Sequence, residues 1–323
     1  MKIGMIFPGQ GAQYLGMGKE FFDKERIVQE LFDQASNCLD KNFVRLCFAS
    51  SEKELQNTVN AQTAIFLVSA SIYKVLNEKY GIVPNIVSGH SLGEYSAIYA
   101  AGGISFADAL YLLKKRSLFM DEATVKNPGG MIAIFGIPEQ VVVEICKRYH
   151  EPEKNKIAQV VNFNSPQQLV ISGTFDELEQ IKLDVKSLKG KVIPLNVAGA
   201  FHSKLMEEAQ KEFSSYMLKV DFKNLSIPLI NNVDAKIIID ADDVRDSLIK
   251  QISSPVLWWQ SMEKLRELDY IIQVGPSDKL AKILKREWPD KKIMAINKPE
   301  DIQELFNLLD KKMPLNMDLD SDK

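Results

Sequence analysis

The segment Gly89-His90-Ser91-Leu92-Gly93 carries the spacing GxSxG between a short apolar run and a helical pattern. In that context a serine sits on a sharp strand-to-helix turn with its hydroxyl presented for attack on a carbonyl carbon. Glycines at 89 and 93 remove side chains that would crowd the turn, and the helix N-terminus lends positive potential. The amide of Leu92, next after the serine, is then placed to bind a developing oxyanion. Five residues alone also fit a loop without chemistry. The flanking strand and helix patterns favour a nucleophile.

A serine hydroxyl needs a base, and the chain has only three histidines: His90, His150 and His202. His90 adjoins the serine, so on such a turn it points away from the hydroxyl. His150 stands at the polar end of a helical pattern beside Glu151 and Glu153, which reads as a solvated surface position. His202, in Ala200-Phe201-His202-Ser203, falls at a domain junction, a favoured place for clefts. An isolated histidine is more often structural than catalytic; elimination among three reverses that preference for His202. A second polar candidate is Arg116. Leu112, Arg116 and Met120 share one helix face at i, i+4 and i+8. Lys114, Lys115 and Arg116 also fit a solvated charge run, but a guanidinium on an otherwise apolar face suits bidentate recognition of a carboxylate.

These residues require a scaffold. Residues 2–7 read as a buried strand ended by PGQGAQ (8–13), followed by helical pattern over about 18–40. Asn60 is a candidate cap for a long, mostly apolar helix that ends near Lys79. NIVSG (85–89) reads as a parallel strand, LGEYSAIYAA as a helix, and Ser105 with Asp108 as a capping box for the next. Alternating strand and helix predict an α/β sheet covered on both faces. From 131 to 197 the order becomes strand–helix–strand–strand–helix–strand, the ferredoxin-like split βαβ. NPGG (127–130) and AGAF (198–201) bracket it. The expected organisation is a large domain over 1–127 and 198–312, a small ferredoxin-like domain over 128–197, and a frayed tail over 313–323. Strands are expected at 228–232, 270–274 and 292–296, and a last helix after Pro299.

Composition excludes several classes. Hydrophobic residues make up 46% and charged residues 26%, which rules out a disordered or fibrous chain. A net charge of −3 is too near neutral for nonspecific grip on nucleic acid or an anionic membrane. Three cysteines without a CxxC pattern support neither a disulfide framework nor a zinc site, and no metal-ligand cluster is visible. No apolar run reaches the roughly 20 residues of a membrane helix, and MKIGMIF lacks a signal-peptide cleavage site. The expectation is a cytoplasmic protein with no membrane or nucleic-acid partner, and a monomer.

At this point a family resemblance becomes specific. PGQGAQ (8–13), NAQTA (60–64), GHSLGEYSA (89–97), the helix bearing Arg116, NFNSP (162–166), AGAFHSKLM (198–206), NNVDA (231–235), KQISSPVLW (250–258) and QVGPS (273–277) occur in one order over about 1–310. The chain resembles the malonyl-CoA:acyl carrier protein transacylases of fatty acid synthesis and the acyltransferase domains of polyketide synthases. The resemblance implies an α/β hydrolase-like large domain with a mainly parallel sheet and an inserted ferredoxin-like small domain. It implies malonyl transfer from malonyl-CoA to the phosphopantetheine thiol of acyl carrier protein, through a malonyl-serine ester and without a cofactor. Residue by residue it makes Ser91 the nucleophile, His202 the base, and the amides of Gln10 and Leu92 the oxyanion hole. It pairs Arg116 with the malonyl carboxylate, orients His202 by the main-chain carbonyl of Gln251, and lines the acyl pocket with Gln62, Met120, Asn162 and Phe201. The family's common EVGPG departs here to Gln273-Val274-Gly275-Pro276-Ser277.

Three rivals weigh less. An esterase of the α/β-hydrolase type runs Ser, acid, His with the histidine late, whereas several strands and helices are expected after His202. A hydrolase that edits stalled acyl chains would be expected to lack Arg116. A nucleotide-binding role for PGQGAQ fails for want of GK[ST] or GxGxxG.

Overall fold

The computed structural model describes residues 1–309; the expected tail over 313–323 and the end of the last expected helix lie outside them. Ten strands occur among the described residues. In chain order they are β1 (Ile3–Phe7), β2 (Ile86–Gly89), β3 (Gly130–Phe135), β4 (Ala158–Ser165), β5 (Gln168–Gly173), β6 (Lys191–Pro194), β7 (Leu229–Ile230), β8 (Ile237–Ile238), β9 (Tyr270–Val274) and β10 (Lys292–Ile296). The chain divides into two compact units, Met1–Tyr111 together with the chain from Glu267, and Leu112–Arg266.

In the first unit β10, β9, β1 and β2 lie side by side and all pair in parallel. Every residue of β1 is buried, as expected where helices cover both faces of a parallel sheet. The helix Thr58–Lys74 runs through this core with Ala61 to Tyr73 all buried, and continues as a π-helical turn over Val75–Lys79. Contrary to the expectation that no segment is long and apolar enough, the span Thr58–Lys79 would by length and composition suffice to cross a membrane, but 83% of its apolar stretch is buried inside the protein. Its cap is Asn57, whose side chain accepts from the amides of Val59 and Asn60. The expectation of Asn60 as cap is thus corrected by one turn. Asn60 lies inside the helix, where its amide group donates to the Glu54 carbonyl at 2.7 Å. The predicted capping box of the helix Phe106–Lys126 is present: Asp108 N–H donates to Ser105 Oγ at 3.1 Å, and Ser105 Oγ donates to the Asp108 carboxylate at 2.6 Å.

The second unit holds the antiparallel sheet β4-β5-β3-β6, the strand order of a ferredoxin-like fold. Its helices Glu139–Tyr149 and Phe175–Ser187 bury Val142, Ile145, Ile181 and Val185 against Ile132 and Ile171 of the sheet. This sheet lies wholly within 128–197, but the compact unit is larger than that segment. Main-chain and side-chain bonds tie the strands to the chain that follows. Val256 N–H donates to Val161 at 2.7 Å, Phe163 N–H to Val256 at 3.1 Å, and Lys204 N–H to Gln159 Oε1 at 2.7 Å. The expected strand over 228–232 shrinks to β7, a two-residue antiparallel partner of β8.

His150 departs from the solvated position expected of it. It is half-buried at the end of the helix Glu139–Tyr149, and its Nδ1 accepts the Ala158 N–H at 3.2 Å. Burial, and after it the charge of Lys204, hold its pKa below the ordinary 6.5, with Glu153 opposing. The folded protein therefore takes up this proton less readily than the unfolded chain. The resulting stability is fully present above about pH 6.5 and is lost as pH falls toward the lowered folded value. In His150→Gln the side-chain oxygen can accept the same N–H without titrating. The fall in urea midpoint between about pH 7 and about pH 5.5 should be shallower in this variant than in the wild type. Equal slopes would remove His150 as the source.

Candidate active site

The first unit carries Ser91, Leu92, Gln10 and Gln62. Strand β2 ends at Gly89, and the helix Gly93–Ala100 starts four residues later. Ser91 has φ 53°, in the left-handed region that a serine enters at a cost of roughly 1–2 kcal/mol. Bonds on either side hold it there: His90 N–H to Phe7 at 3.0 Å, Gly93 N–H to His90 at 2.9 Å, and Glu94 N–H to the Ser91 carbonyl itself at 3.0 Å. A methyl group at Gly89 would lie 2.0 Å from the Gly93 carbonyl, and one at Gly93 would lie 2.4 Å from the Phe7 carbonyl. Both glycines of the motif are thus required by backbone crossing. This is a nucleophile elbow, strained and partly exposed.

PGQGAQ leaves β1 as a turn closed by Ala12 N–H donating to Gly9 at 3.2 Å. Gly11 has φ 97°, the glycine-favouring third position of a type II turn, so Gln10 occupies the second position. The turn's own bond does not use the Gln10 amide. A methyl group at Gly9 would come within 2.5 Å of the His90 carbonyl, so this loop lies directly on the elbow. Gln62, on the helix Thr58–Lys74, donates through Nε2 to Gln10 Oε1 at 3.4 Å. Gln13, to which no role was expected, accepts the Gly11 N–H through Oε1 at 2.7 Å and pins the turn.

The second unit carries Arg116, Met120, Asn162, Phe201, His202 and Gln251, all of them buried. Gln251 is the hub. Its main-chain carbonyl lies 2.8 Å from His202 Nδ1, which fixes the proton on Nδ1 and leaves Nε2 as the basic nitrogen. Its side-chain Oε1 accepts from Arg116 Nη2 at 3.0 Å, and its Nε2 donates to Asn232 Oδ1 at 3.4 Å. One residue therefore orients both the imidazole and the guanidinium, the first through its backbone and the second through its side chain.

His202 has φ 61°, again in the left-handed region. Neighbouring serines lock this conformation: Ser172 Oγ donates to the Phe201 carbonyl and Ser203 Oγ to the Ala200 carbonyl, each at 2.6 Å. Strain of this kind persists only where the surroundings over-determine the backbone. A methyl group at Gly199 would lie 2.0 Å from Thr124 Oγ1, so AGAF packs closely on the helix that bears Arg116 and Met120. Asn162 sits at a register shift in β4 and bridges to Val256. Its buried Oδ1 has no hydrogen-bond partner among the described residues.

Burial pushes the Cys47 and Cys146 thiols up to about 12, so neither supplies a thiolate nucleophile. Ser172 and Ser203 were absent from the expected site because each acts on a main-chain carbonyl. Only the local pair Ser203–Ala200 left a trace in sequence, inside AFHS.

Residues 5–286 match the family described as acyl transferase domain. The chain is similar to the malonyl CoA-acyl carrier protein transacylase of Bacillus subtilis (strain 168), 37% identical over 305 residues that cover 94% of this chain and 95% of that protein. The protein of the same name from Escherichia coli (strain K12) is 34% identical over 301 residues, 92% of this chain and 96% of the other. Among solved structures, the malonyl CoA-acyl carrier protein transacylase from Coxiella burnetii superposes with a TM-score of 0.92 at 30% identity, covering 96% and 98% of the two chains. A malonyl-transacylase solved in complex with a type II PKS acyl-carrier protein gives a TM-score of 0.91 at 32% identity, covering 96% and 100%. The parallel α/β sheet, the ferredoxin-like sheet, the strained elbow serine and these matches agree: the chain belongs to the acyl transferase domain family.

Proposed function

We propose that this protein transfers the malonyl group from malonyl-CoA to the phosphopantetheine thiol of acyl carrier protein, supplying extender units for fatty acid or polyketide synthesis. The observation that carries the reading is the Gln251 hub, which ties a buried arginine to a buried, backbone-oriented histidine. A hydrolase acting on neutral acyl chains has no use for a fully buried guanidinium; a transferase of a carboxylated acyl group does.

Ser91 Oγ attacks the thioester carbonyl while His202 Nε2 takes its proton. The amides of Gln10 and Leu92 receive the negative charge as it develops on oxygen, and the Leu92 amide gains from its place at the helix N-terminus. CoA leaves as a thiol after proton return from His202, and the malonyl-serine ester remains. The carrier's thiol then attacks that ester with His202 again as base, and Ser91 is regenerated. The Nδ1 bond to the Gln251 carbonyl supports the imidazolium that forms in each half, in place of an aspartate. Gln62, Met120, Asn162 and Phe201 shape the acyl pocket, and Arg116 holds the free carboxylate. No step requires a metal or redox cofactor, and the protein acts as a monomer.

The direct test is intact-mass spectrometry after brief mixing with malonyl-CoA. The wild type should gain one malonyl group on Ser91, and Ser91→Ala should gain none while keeping its fold. His202→Ala should lose about 10²–10⁴-fold in acylation rate, the usual contribution of general base catalysis, and His150→Ala should not. A malonylated Ser91→Ala protein would move the nucleophile elsewhere.

Substrate selection divides between charge and size. An arginine left in a dry pocket without its anion costs several kcal/mol, roughly 3–5 when one partner of a buried pair is removed. Malonyl supplies that anion and acetyl does not. Arg116→Ala should therefore depress malonyl transfer by orders of magnitude and leave acetyl transfer unchanged or raised. Phe201 crowds the α-carbon, a filter against methylmalonyl worth only about 1–3 kcal/mol, so Phe201→Ser should admit methylmalonyl more readily. Both effects are read by comparing malonyl-, methylmalonyl- and acetyl-CoA on the three proteins. An equal loss of malonyl and acetyl transfer in Arg116→Ala would make the arginine structural.

A further inference from the structure

The turn after β9 holds the PGQGAQ loop at both ends. At its near side a methyl group at Gly275 would come within 3.0 Å of the Pro8 ring and 2.3 Å of Ser69 Oγ, so the turn is seated against the residue that opens the loop. At its far side Lys279 Nζ donates to the Gly11 carbonyl. Gln10 stands between these two anchor points.

The turn is itself strained and clamped. Ser277 has φ 66°, a conformation that favours glycine. Gln273, fully buried at the end of β9, donates through Nε2 to the Ser277 carbonyl at 2.7 Å and accepts the Ala281 N–H through Oε1 at 2.8 Å. It thereby fixes both the left-handed residue and the first turn of the helix Lys279–Glu287. Ser277 Oγ accepts the Lys279 N–H at 3.3 Å, which carries the same constraint to the lysine. A carboxylate at 273 could still accept from Ala281, but it would face the Ser277 carbonyl with an acceptor against an acceptor. The glutamine amide satisfies both partners, because it offers a donor and an acceptor from one group.

We propose that Gln273 and Lys279 are positioning residues for the Gln10 amide, and that Gln273 and Ser277 form a matched pair in which the amide holds a non-glycine residue in a glycine conformation. The inference rests on the malonyl-transfer reading, in which the Gln10 amide receives the oxyanion. Oxyanion donors act only when aimed at the place where charge develops, and a displacement of about 1 Å can cost 10²-fold.

The test measures rapid-quench malonylation of Ser91 and the steady-state KM for malonyl-CoA. Gln273→Glu should slow acylation about 10- to 100-fold with KM little changed, since the oxyanion forms only in the transition state. Adding Ser277→Gly should restore most of the rate, because glycine adopts the turn without the amide's hold. Lys279→Met, an exposed change, should slow acylation while leaving the melting temperature in place, and it decides the matter if Gln273→Glu fails to fold. Acylation at the wild-type rate in Gln273→Glu or Lys279→Met overturns the inference alone, as does a double variant no faster than Gln273→Glu. Absence of any malonyl ester on the wild-type enzyme overturns the malonyl-transfer reading, and this inference with it.

Discussion

The close crossing of backbone at the end of β1 and β2 governs what the first unit can do. Phe7 and Gly89 pair in register, and one residue later the two chains separate into the PGQG loop and the elbow. Gly93 lies so near the Phe7 and Pro8 carbonyls that any side chain would collide with them. This approach fixes the start of the helix Gly93–Ala100, and with it the Leu92 amide at the helix's open end. It also forces the left-handed conformation at Ser91, because the three residues His90, Ser91 and Leu92 must reverse direction between a strand and a helix already in contact. A looser crossing would relax the serine and uncouple it from the Leu92 amide beside it.

The second unit solves a different problem, that of burying charge-bearing groups without losing them. Arg116 and His202 are both buried, and burial penalises a charged group unless it is hydrogen-bonded or paired. Gln251 supplies a carbonyl to each from a single residue, one from the main chain and one from the side chain. Gln251 Oε1 positions the guanidinium with a neutral hydrogen-bonding group, adding no full negative charge of its own. The main-chain carbonyl likewise orients the imidazole while adding no full negative charge beside it. The same economy recurs at His202 itself, whose strained backbone is held by two serine hydroxyls bonded to the preceding carbonyls.

Seven non-glycine residues among the described ones have positive φ, and three of them belong to the candidate site or to the turn after β9. Ser91, His202 and Ser277 all lie in this region, and each is held by bonds that reach across the fold or the turn. Asp40 and Asn155 share the conformation at ordinary helix ends, where a short polar side chain tolerates it. The distinction lies in what holds the residue in place.

Much of this was legible along the chain. Short, mostly apolar runs between breakers located β9 and β10 to the residue, since strands of a helix-covered parallel sheet bury most of their side chains. The GxSxG spacing between such a strand and a helix pattern identified the elbow; the clash that demands Gly89 is local, with Gly93 and Glu94, whereas the one that demands Gly93 is with the distant Phe7 and Pro8 carbonyls and exists only in the folded sheet. The ferredoxin-like order was likewise readable from six consecutive elements. Contacts between distant segments were decided only by tertiary structure. Asn57, not Asn60, caps the long helix because it stands where the helix Glu52–Gln56 ends and the next begins, a junction that only the folded chain reveals. Val256 pairs with β4 across ninety-odd residues, a contact that no spacing along the chain announces. His150 reads as a surface residue until the strand it caps is placed beside it. The value of Gln273 and Ser277 was hidden for the same reason. A departure from a motif shows in sequence as two separate changes, whereas a hydrogen bond between them exists only once the turn has folded.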